Sequence, residues 1–170
     1  MGFTPRMSHA APPSVAGMKS ILGLAACLAL CFGAAAFGAQ FMPGEWYAGL
    51  KKPAWNPPNW VFGPVWTALY TMMAVGVWLV WRRGGFAANA LPLSLFLAQL
   101  VCNSLWSWMF FGRKNPGLAF ADIALLWLAI AATLASFWPL QRTAAWLLVP
   151  YLVWVTFAAA LNFSLWRLNH

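Results

Sequence analysis

The side chains with chemical potential in this sequence are aromatic rings and carboxamides rather than acids, bases or nucleophiles. The chain has 13 tryptophans but only two acidic residues, Glu45 and Asp122, and two histidines, His9 and His170. No general acid–base pair, activated nucleophile or metal cluster can be assembled from these groups. No phosphate-binding GxxxxGK loop is present either. The chemistry open to the chain is the stacking of rings and the hydrogen bonding of amides around a flat, apolar ligand.

Helical spacing places these rings and amides on common faces. Three such faces carry aromatic side chains three or four positions apart, two of them together with amides: Trp66 and Tyr70; Gln99, Asn103, Trp106 and Phe110; and Tyr151, Trp154, Ala158 and Asn162. An indole N–H or an amide needs a polar partner in hydrocarbon, so we expect these faces to turn inward. Together they predict a pocket for a planar, poorly soluble ligand, with ordinary interhelical packing as the alternative.

The composition places these faces in a membrane. Hydrophobic residues make up 63% of the chain and charged residues 7%, whereas soluble domains have about 25% charged residues. Segments of about twenty apolar residues span a bilayer core as α-helices, and five follow a loose tail at 1–17: 19–41, 60–82, 89–111, 116–138 and 143–166. The sequence predicts an all-α membrane protein, a five-transmembrane-helix bundle.

The connection 42–59 differs from the other links. It contains four prolines and two glycines, which disfavour regular structure and fix a turn-rich path. The other links are short and predict antiparallel packing of sequential helices. A long, stiff connection beside the mouth of a bundle predicts a lid over a pocket.

The first apolar segment has a competing interpretation as a signal peptide. Lys19, the apolar run and the small residues Ala34–Ala36 fit a cleavage site, and 24–27 is similar to a lipoprotein cleavage box. The apolar run continues past both sites to spanning length, which favours a transmembrane helix. The three cysteines, Cys27, Cys31 and Cys102, lie within apolar segments and are interpreted as packing residues.

The net charge of +8 comes from cations in ones and twos between apolar segments. This pattern is typical of charges at membrane surfaces and not of a nucleic-acid-binding stripe, so no nucleic-acid partner is expected. Alternate links place five cations on each face, so the positive-inside rule does not determine the orientation: Arg6, Lys19, Arg82, Arg83 and Arg142 oppose Lys51, Lys52, Arg113, Lys114 and Arg167.

A ridge of small residues marks the third apolar segment. Ala90, Ser94, Ala98 and Cys102 recur every fourth residue, which permits close helix approach. The ridge predicts a homodimer seam, with contact inside one protomer as the alternative.

The segment 45–66, EWYAGLKKPAWNPPNWVFGPVW, closely resembles the TspO/MBR family of translocator proteins (peripheral-type benzodiazepine receptors) and bacterial tryptophan-rich sensory proteins. The resemblance extends from about residue 18 onward, through Gln99, Asn103 and Trp106, Asp122 and 150–154, and ends at 161–167. It implies a TspO/MBR-type bundle of five helices, a homodimer, and a cavity closed by the loop 42–59. The bacterial relatives imply a multi-pass protein of the bacterial cell envelope.

The resemblance also implies ligands and the residues that contact them. Family members bind porphyrins, cholesterol and isoquinoline carboxamide or benzodiazepine compounds, so porphyrin or haem is expected as a ligand and no fixed cofactor is expected. The matching pocket residues are Trp55, Trp66, Tyr70, Asn103, Trp106, Trp154 and Ala158. A sterol motif falls at Leu161, Phe163 and Arg167, where phenylalanine replaces the family's tyrosine.

The leading hypothesis is a tetrapyrrole-binding membrane protein that senses, sequesters or moves porphyrins. A second hypothesis is light-dependent porphyrin degradation, with Trp66 and Trp154 as electron or radical carriers. A transporter of sterols or other small molecules ranks below both, because the sequence has no broken helix, inverted repeat or mid-membrane charge.

Overall fold

Helices dominate the structure, a computed structural model that describes residues 15–170 of the chain. Seven α-helices and a 3-10 turn (Asn59–Val61) occur in this range, and no strand: α1 (Val15–Gly38), α2 (Glu45–Gly49), α3 (Phe62–Trp81), α4 (Gly85–Ala88), α5 (Ala90–Ser107), α6 (Pro116–Phe137) and α7 (Arg142–Leu168). The helices α1, α3, α5, α6 and α7 are long and apolar enough to cross a membrane. The predicted all-α bundle of five spans is confirmed.

The five long helices form a closed ring. Around it, α1 packs on α3, α3 on α7, α7 on α6, α6 on α5, and α5 back on α1. Although the link between α3 and α5 is short, these two helices touch each other at few positions. The helix α1 packs against both of them. In that link, Gly84 and Gly85 have φ of 139° and 71°, which side chains with a Cβ rarely adopt. The glycines let the chain turn into α4.

Several helix ends differ from those expected. The chain is already helical at Val15, inside the segment assigned to the tail, because no proline lies between Val15 and Lys19 and the helix accommodates Gly17. The rest of the expected tail lies outside the described residues. α1 ends at Gly38, and the loop contains the short helix α2. α6 begins where expected, since Asn115 accepts a hydrogen bond from the Leu118 backbone N–H at 2.9 Å and Pro116 is its first residue.

A π-helical turn, Trp108–Gly112, continues α5. It closes with a 2.7 Å hydrogen bond from the Arg113 backbone N–H to the Trp108 carbonyl. A π-turn inserts a residue into the helix and rotates the side chains beyond it. Phe110, within this turn, is buried, with its ring stacked on that of Trp106 at 5.1 Å between centroids.

In the described part of the chain, three side chains have buried polar atoms without a hydrogen-bond partner, namely Gln99, Asp122 and Trp154, and Gln99 has two such atoms. Gln99 is 1% exposed, and neither its Oε1 nor its Nε2 has a hydrogen-bond partner. One turn before it, Phe96 of α5 stacks on Phe137 of α6 with 6.4 Å between ring centroids, so the adjacent turn of α5 packs on an apolar part of α6. An unpaired buried amide costs stability, by about 1–3 kcal/mol in mutational data.

The Gln99→Met variant is therefore expected to be more stable than the wild type. Methionine has nearly the same shape and no amide to desolvate, so the midpoint of thermal unfolding in detergent should rise by roughly 2–4 °C. The matched control is Asn103→Leu, one turn away, which removes hydrogen bonds that are made and should lower the midpoint. Equal destabilisation by the two variants would contradict this account of Gln99.

Candidate ligand-binding site

A cavity of about 800 Å³ lies inside the ring of helices, toward the end that carries the loop 42–59. We call it the central cavity. All five long helices contribute to its wall, and aromatic and small apolar side chains provide most of it. Its volume falls within the range of roughly 300–1,000 Å³ found for small-molecule sites. The interior of the bundle therefore has room for a ligand.

The polar part of the wall is a hydrogen-bond network that joins three helices. The Tyr70 hydroxyl of α3 donates to the Asn103 Oδ1 of α5. The Asn103 Nδ2 donates in turn to the Tyr151 hydroxyl of α7 at 3.0 Å. All three side chains are buried. Because each group has its partner within the protein, the network fixes the three helices without presenting an unpaired polar group to an apolar ligand.

Trp106 takes part in a second network. Its Nε1–H donates to Asn162 Oδ1 at 2.9 Å, and the Asn162 Nδ2 donates to the Pro116 carbonyl at 2.8 Å. These bonds link α5, α7 and the start of α6. The indole is thus held by its edge while its ring contributes to the cavity wall. A ring fixed in this way offers a preformed surface for stacking.

Trp66 and Trp154 line other parts of the wall. Trp66 lies 5.5 Å from Tyr70 and 6.2 Å from Tyr151 between ring centroids. Trp154 packs on Phe62 at 5.8 Å, and its buried Nε1–H has no partner. The two indoles come from neighbouring helices, α3 and α7, so the cavity is walled by flat apolar rings from different directions.

The loop 42–59 contributes Pro43, Tyr47 and Asn59 to the same cavity. Tyr47 is buried, with its ring 5.5 Å from that of Phe111. Burial raises the pKa of the Tyr47 phenol, against the lowering effect of its hydrogen bond to Asn56, so the group stays neutral at physiological pH. The Lys52 ammonium lies 4.7 Å from the centre of the Tyr47 ring. The loop therefore belongs to the cavity and is not a detached connection.

Comparison with known proteins agrees with this architecture. The model of the TspO/MBR family matches residues 24–167. The chain belongs to the TspO/MBR family. The human translocator protein (Homo sapiens) is 46% identical over 138 residues, which cover 78% of this chain and 82% of that protein.

Bacterial relatives match over a longer stretch of this TspO/MBR protein. The tryptophan-rich sensory protein of Cereibacter sphaeroides is 44% identical over 142 residues, covering 84% of this chain and 88% of that protein. The tryptophan-rich protein TspO of Chlorobaculum tepidum is 42% identical over 158 residues, covering 89% and 98%. The matched region 24–167 includes every residue of the central cavity. The protein is thus a multi-pass integral membrane protein with a bundle of the TspO/MBR type.

Six of the seven pocket residues suggested by the family resemblance line the central cavity: Trp66, Tyr70, Asn103, Trp106, Trp154 and Ala158. The structure places Trp55 elsewhere. Its side chain is 48% exposed and packs on Phe157 of α7, with 5.7 Å between ring centroids. Its position in the loop could not indicate which side of the loop its ring would take.

The contribution of α1 to this TspO/MBR cavity was not predicted from the sequence. Phe32, Ala35 and Ala36 of α1, and Ala39 just after it, form part of the wall. Alanines in a membrane helix carry no polar signal, so the pattern of amides and indoles could not find them. Their small side chains bring the α1 backbone close to the ligand space.

The residues of the expected sterol motif do not share one surface. Leu161 is buried and lines the central cavity, whereas Phe163 is 44% exposed and Arg167 is exposed on the outer side of α7. A single ligand inside the cavity cannot contact all three side chains, because residues two apart on a helix point in very different directions.

The small-residue ridge lies on the outside of the protomer. Ala90, Ser94 and Ala98 are exposed, and Cys102 is half-buried. The ridge is therefore not used for contact inside the protomer at its first three positions.

Within residues 15–170, no three histidine, cysteine, aspartate or glutamate side chains lie close enough to hold a metal ion.

The Trp106→Phe variant should lower stability by more than the packing lost with the smaller ring. It leaves Asn162 Oδ1 buried without its donor, a cost of about 1–3 kcal/mol. We expect the thermal midpoint in detergent to fall by roughly 2–6 °C. The matched control is Trp127→Phe, which removes a 2.8 Å bond to Thr156, a hydroxyl that is exposed and still donates to Leu152. Equal changes in both variants would contradict the role given to the Asn162 network.

Proposed function

We propose that this protein binds porphyrins or related tetrapyrroles in the central cavity and acts in their sensing, sequestration or movement. The observation that carries the proposal is the convergence of Trp66, Trp106 and Trp154 on one apolar space. Flat rings stack favourably on a flat macrocycle, and the network of Tyr70 and Asn103 fixes the helices that carry them. The names of the relatives, translocator protein and tryptophan-rich sensory protein, support this class of role.

The charges at the cavity end of the bundle also support a tetrapyrrole. Porphyrins carry carboxylates on an otherwise apolar ring. Lys52 is in the loop, and Arg113 and Lys114 follow the π-turn at the same end of the bundle. A ligand whose ring enters the cavity would leave its carboxylates near these cations.

Binding is tested with the Trp66→Ala, Trp154→Ala double variant. Loss of two stacking rings should weaken the affinity for protoporphyrin IX at least about tenfold, which is ~1.4 kcal/mol. The measurement is equilibrium binding followed by the absorbance of the porphyrin, because the tryptophan signal itself changes between variants. The matched control is Trp138→Ala, Trp146→Ala, which removes an exposed ring pair at the opposite end of the bundle. Unchanged affinity in the cavity variant would remove the proposed site.

We also propose that two copies associate through the outer face of α5. The exposed ridge of Ala90, Ser94 and Ala98 lets two helix backbones approach closely, which is how membrane helices gain packing energy without a hydrophobic effect. The apolar side chains beside the ridge are also exposed, among them Leu91 and Val101.

The Ala98→Trp variant tests this association. The large ring should block close approach and shift the protein from dimer to monomer, measured as mass by light scattering in detergent. The matched control is Leu125→Trp, which places the same ring on an exposed position of α6. A dimer that persists in Ala98→Trp, or that is lost equally in both variants, would contradict the α5 interface.

A further inference from the structure

The end of the bundle opposite the loop 42–59 carries a group of cations with no acidic side chain among them. We call this group the basic surface, and its four members are all exposed: Lys19, Arg82, Arg83 and Arg142. The chain has two acidic side chains in all. Glu45 begins α2 in the loop, and Asp122 is buried in the half of α6 that starts at the cavity end. The charge of the basic surface is therefore not neutralised by a side-chain carboxylate.

Contacts between α1 and α3 bring two members of the basic surface together. The Trp78 Nε1–H donates a hydrogen bond to the Ser20 carbonyl at 2.9 Å, one residue from Lys19. The Arg82 guanidinium lies over the same indole, 4.6 Å from the ring centre. A guanidinium stacked on a ring is held in place while the N–H groups at its edge remain available to an acceptor. Trp78 thus joins the start of α1 to the end of α3 and fixes Arg82 there.

The other two members of the basic surface meet where α3 ends and α7 begins. The Arg83 Nη2 donates to the Gln141 Oε1 at 2.8 Å, and Gln141 is the residue before Arg142. Two turns before Arg83 the helix backbones lie close together, since a Cβ on Gly76 would be 3.3 Å from the Ala144 carbonyl oxygen. Gln141 is neutral, so its bond holds Arg83 near Arg142 without neutralising either charge. Two like charges held together in this way attract an anion from outside the protein.

Exposed aromatic side chains place the basic surface at the depth of lipid headgroups. Trp146, one turn after Arg142, is 60% exposed and packs on Trp138, which is 41% exposed, with 5.8 Å between ring centroids. Phe86, in α4 after the link from α3, is also exposed. Exposed tryptophans at the ends of membrane helices lie at the boundary between hydrocarbon and headgroups. The anions at that depth are the phosphates of phospholipids.

We propose that the basic surface is a binding site for an anionic phospholipid, with Arg83 and Arg142 holding the phosphate. Guanidinium groups match phosphate oxygens with paired hydrogen bonds and stay charged at physiological pH. Lys19 and Arg82 add positive charge on the α1 side, and the ring pair of α6 and α7 lies beside the start of the acyl chains. The site is at the opposite end of the bundle from the central cavity, so it does not depend on the proposed function.

The test compares the Arg83→Gln, Arg142→Gln double variant with the wild type in an uncharged detergent at about 0.15 M salt, which screens long-range attraction. Native mass spectrometry measures the dissociation constants of dioleoyl phosphatidylglycerol and dioleoyl phosphatidylcholine, which differ in headgroup charge. Each cation near an anionic headgroup contributes roughly a fivefold gain in affinity. The wild type should prefer phosphatidylglycerol at least about tenfold, and the double variant should lose most of that preference.

The matched control is the Lys51→Gln, Arg167→Gln double variant, which removes the same charge from two exposed residues at the cavity end. Its preference for phosphatidylglycerol should match that of the wild type. Equal loss of preference in both double variants would show a general attraction between a positive protein and an anionic lipid. That result, or a wild type without any preference, would overturn the proposed site.

The Arg142→Gln single variant separates binding from folding. Arg142 is exposed at the first position of α7, so its replacement leaves the core unchanged, and the thermal midpoint without lipid should match that of the wild type. Its affinity for phosphatidylglycerol should fall by roughly fivefold. An unchanged affinity would contradict the role given to this arginine as a phosphate ligand and overturn the site.

Competition by glycerol 3-phosphate distinguishes a lipid from a soluble phosphate compound. This molecule carries a phosphate on glycerol without the acyl chains, so a large excess should leave phosphatidylglycerol bound to the wild type. Displacement of the lipid would assign the basic surface to soluble phosphate compounds and overturn the proposal that a phospholipid is its ligand.

Discussion

The need to pair every polar group inside hydrocarbon organises this protein. Water cannot satisfy an indole N–H, an amide or a phenol at membrane depth, so a partner on another helix stabilises such a group. Asn103, Asn162 and Trp106 have such partners, whereas Gln99 and the Trp154 Nε1–H do not. The Asn103 amide joins Tyr70 to Tyr151, and the Asn162 amide joins Trp106 to the start of α6. Both networks require the aromatic faces of α3, α5 and α7 to turn inward. The central cavity is the space that these rings enclose but do not fill.

The same side chains therefore form the polar networks and the wall of the ligand space. Side chains that use their polar edges to tie helices together keep their apolar faces free for a ligand. Small residues complete the arrangement where α1 meets the cavity, since Ala35 and Ala36 leave room that larger side chains would occupy. The loop contributes Pro43 and Tyr47 to the remaining end of the cavity. Its Lys51 backbone N–H donates a hydrogen bond to Asn169, just after α7. Stability and binding thus depend on the same few residues.

Much of this could be predicted from the sequence, because the signals were strong. Length and apolarity define the five spans, and the spacing of rings and amides identifies the inward faces that carry Trp66, Asn103 and Trp154. Other features leave no comparable signal. The π-turn at Trp108–Gly112 depends on local hydrogen bonding, the orientation of Trp55 depends on how a proline-rich loop folds back, and the pairing of Asn169 joins residues 118 positions apart. The periodicity of residue types along the sequence describes the faces of one helix at a time. It cannot predict contacts between residues that lie far apart in the sequence.

The central claim is that a flat ligand lies among the inward-facing indoles, and the indole N–H resonances test it most directly. Each tryptophan gives one Nε1–H signal, and the ring current of a bound porphyrin shifts those nearest its face. Addition of protoporphyrin IX to labelled protein should move the signals of Trp66, Trp106 and Trp154 strongly and leave Trp138 and Trp146, at the far end of the bundle, in place. Shifts confined to Trp138, Trp146 and other outward-facing rings would place the ligand on the lipid-facing surface and contradict the account.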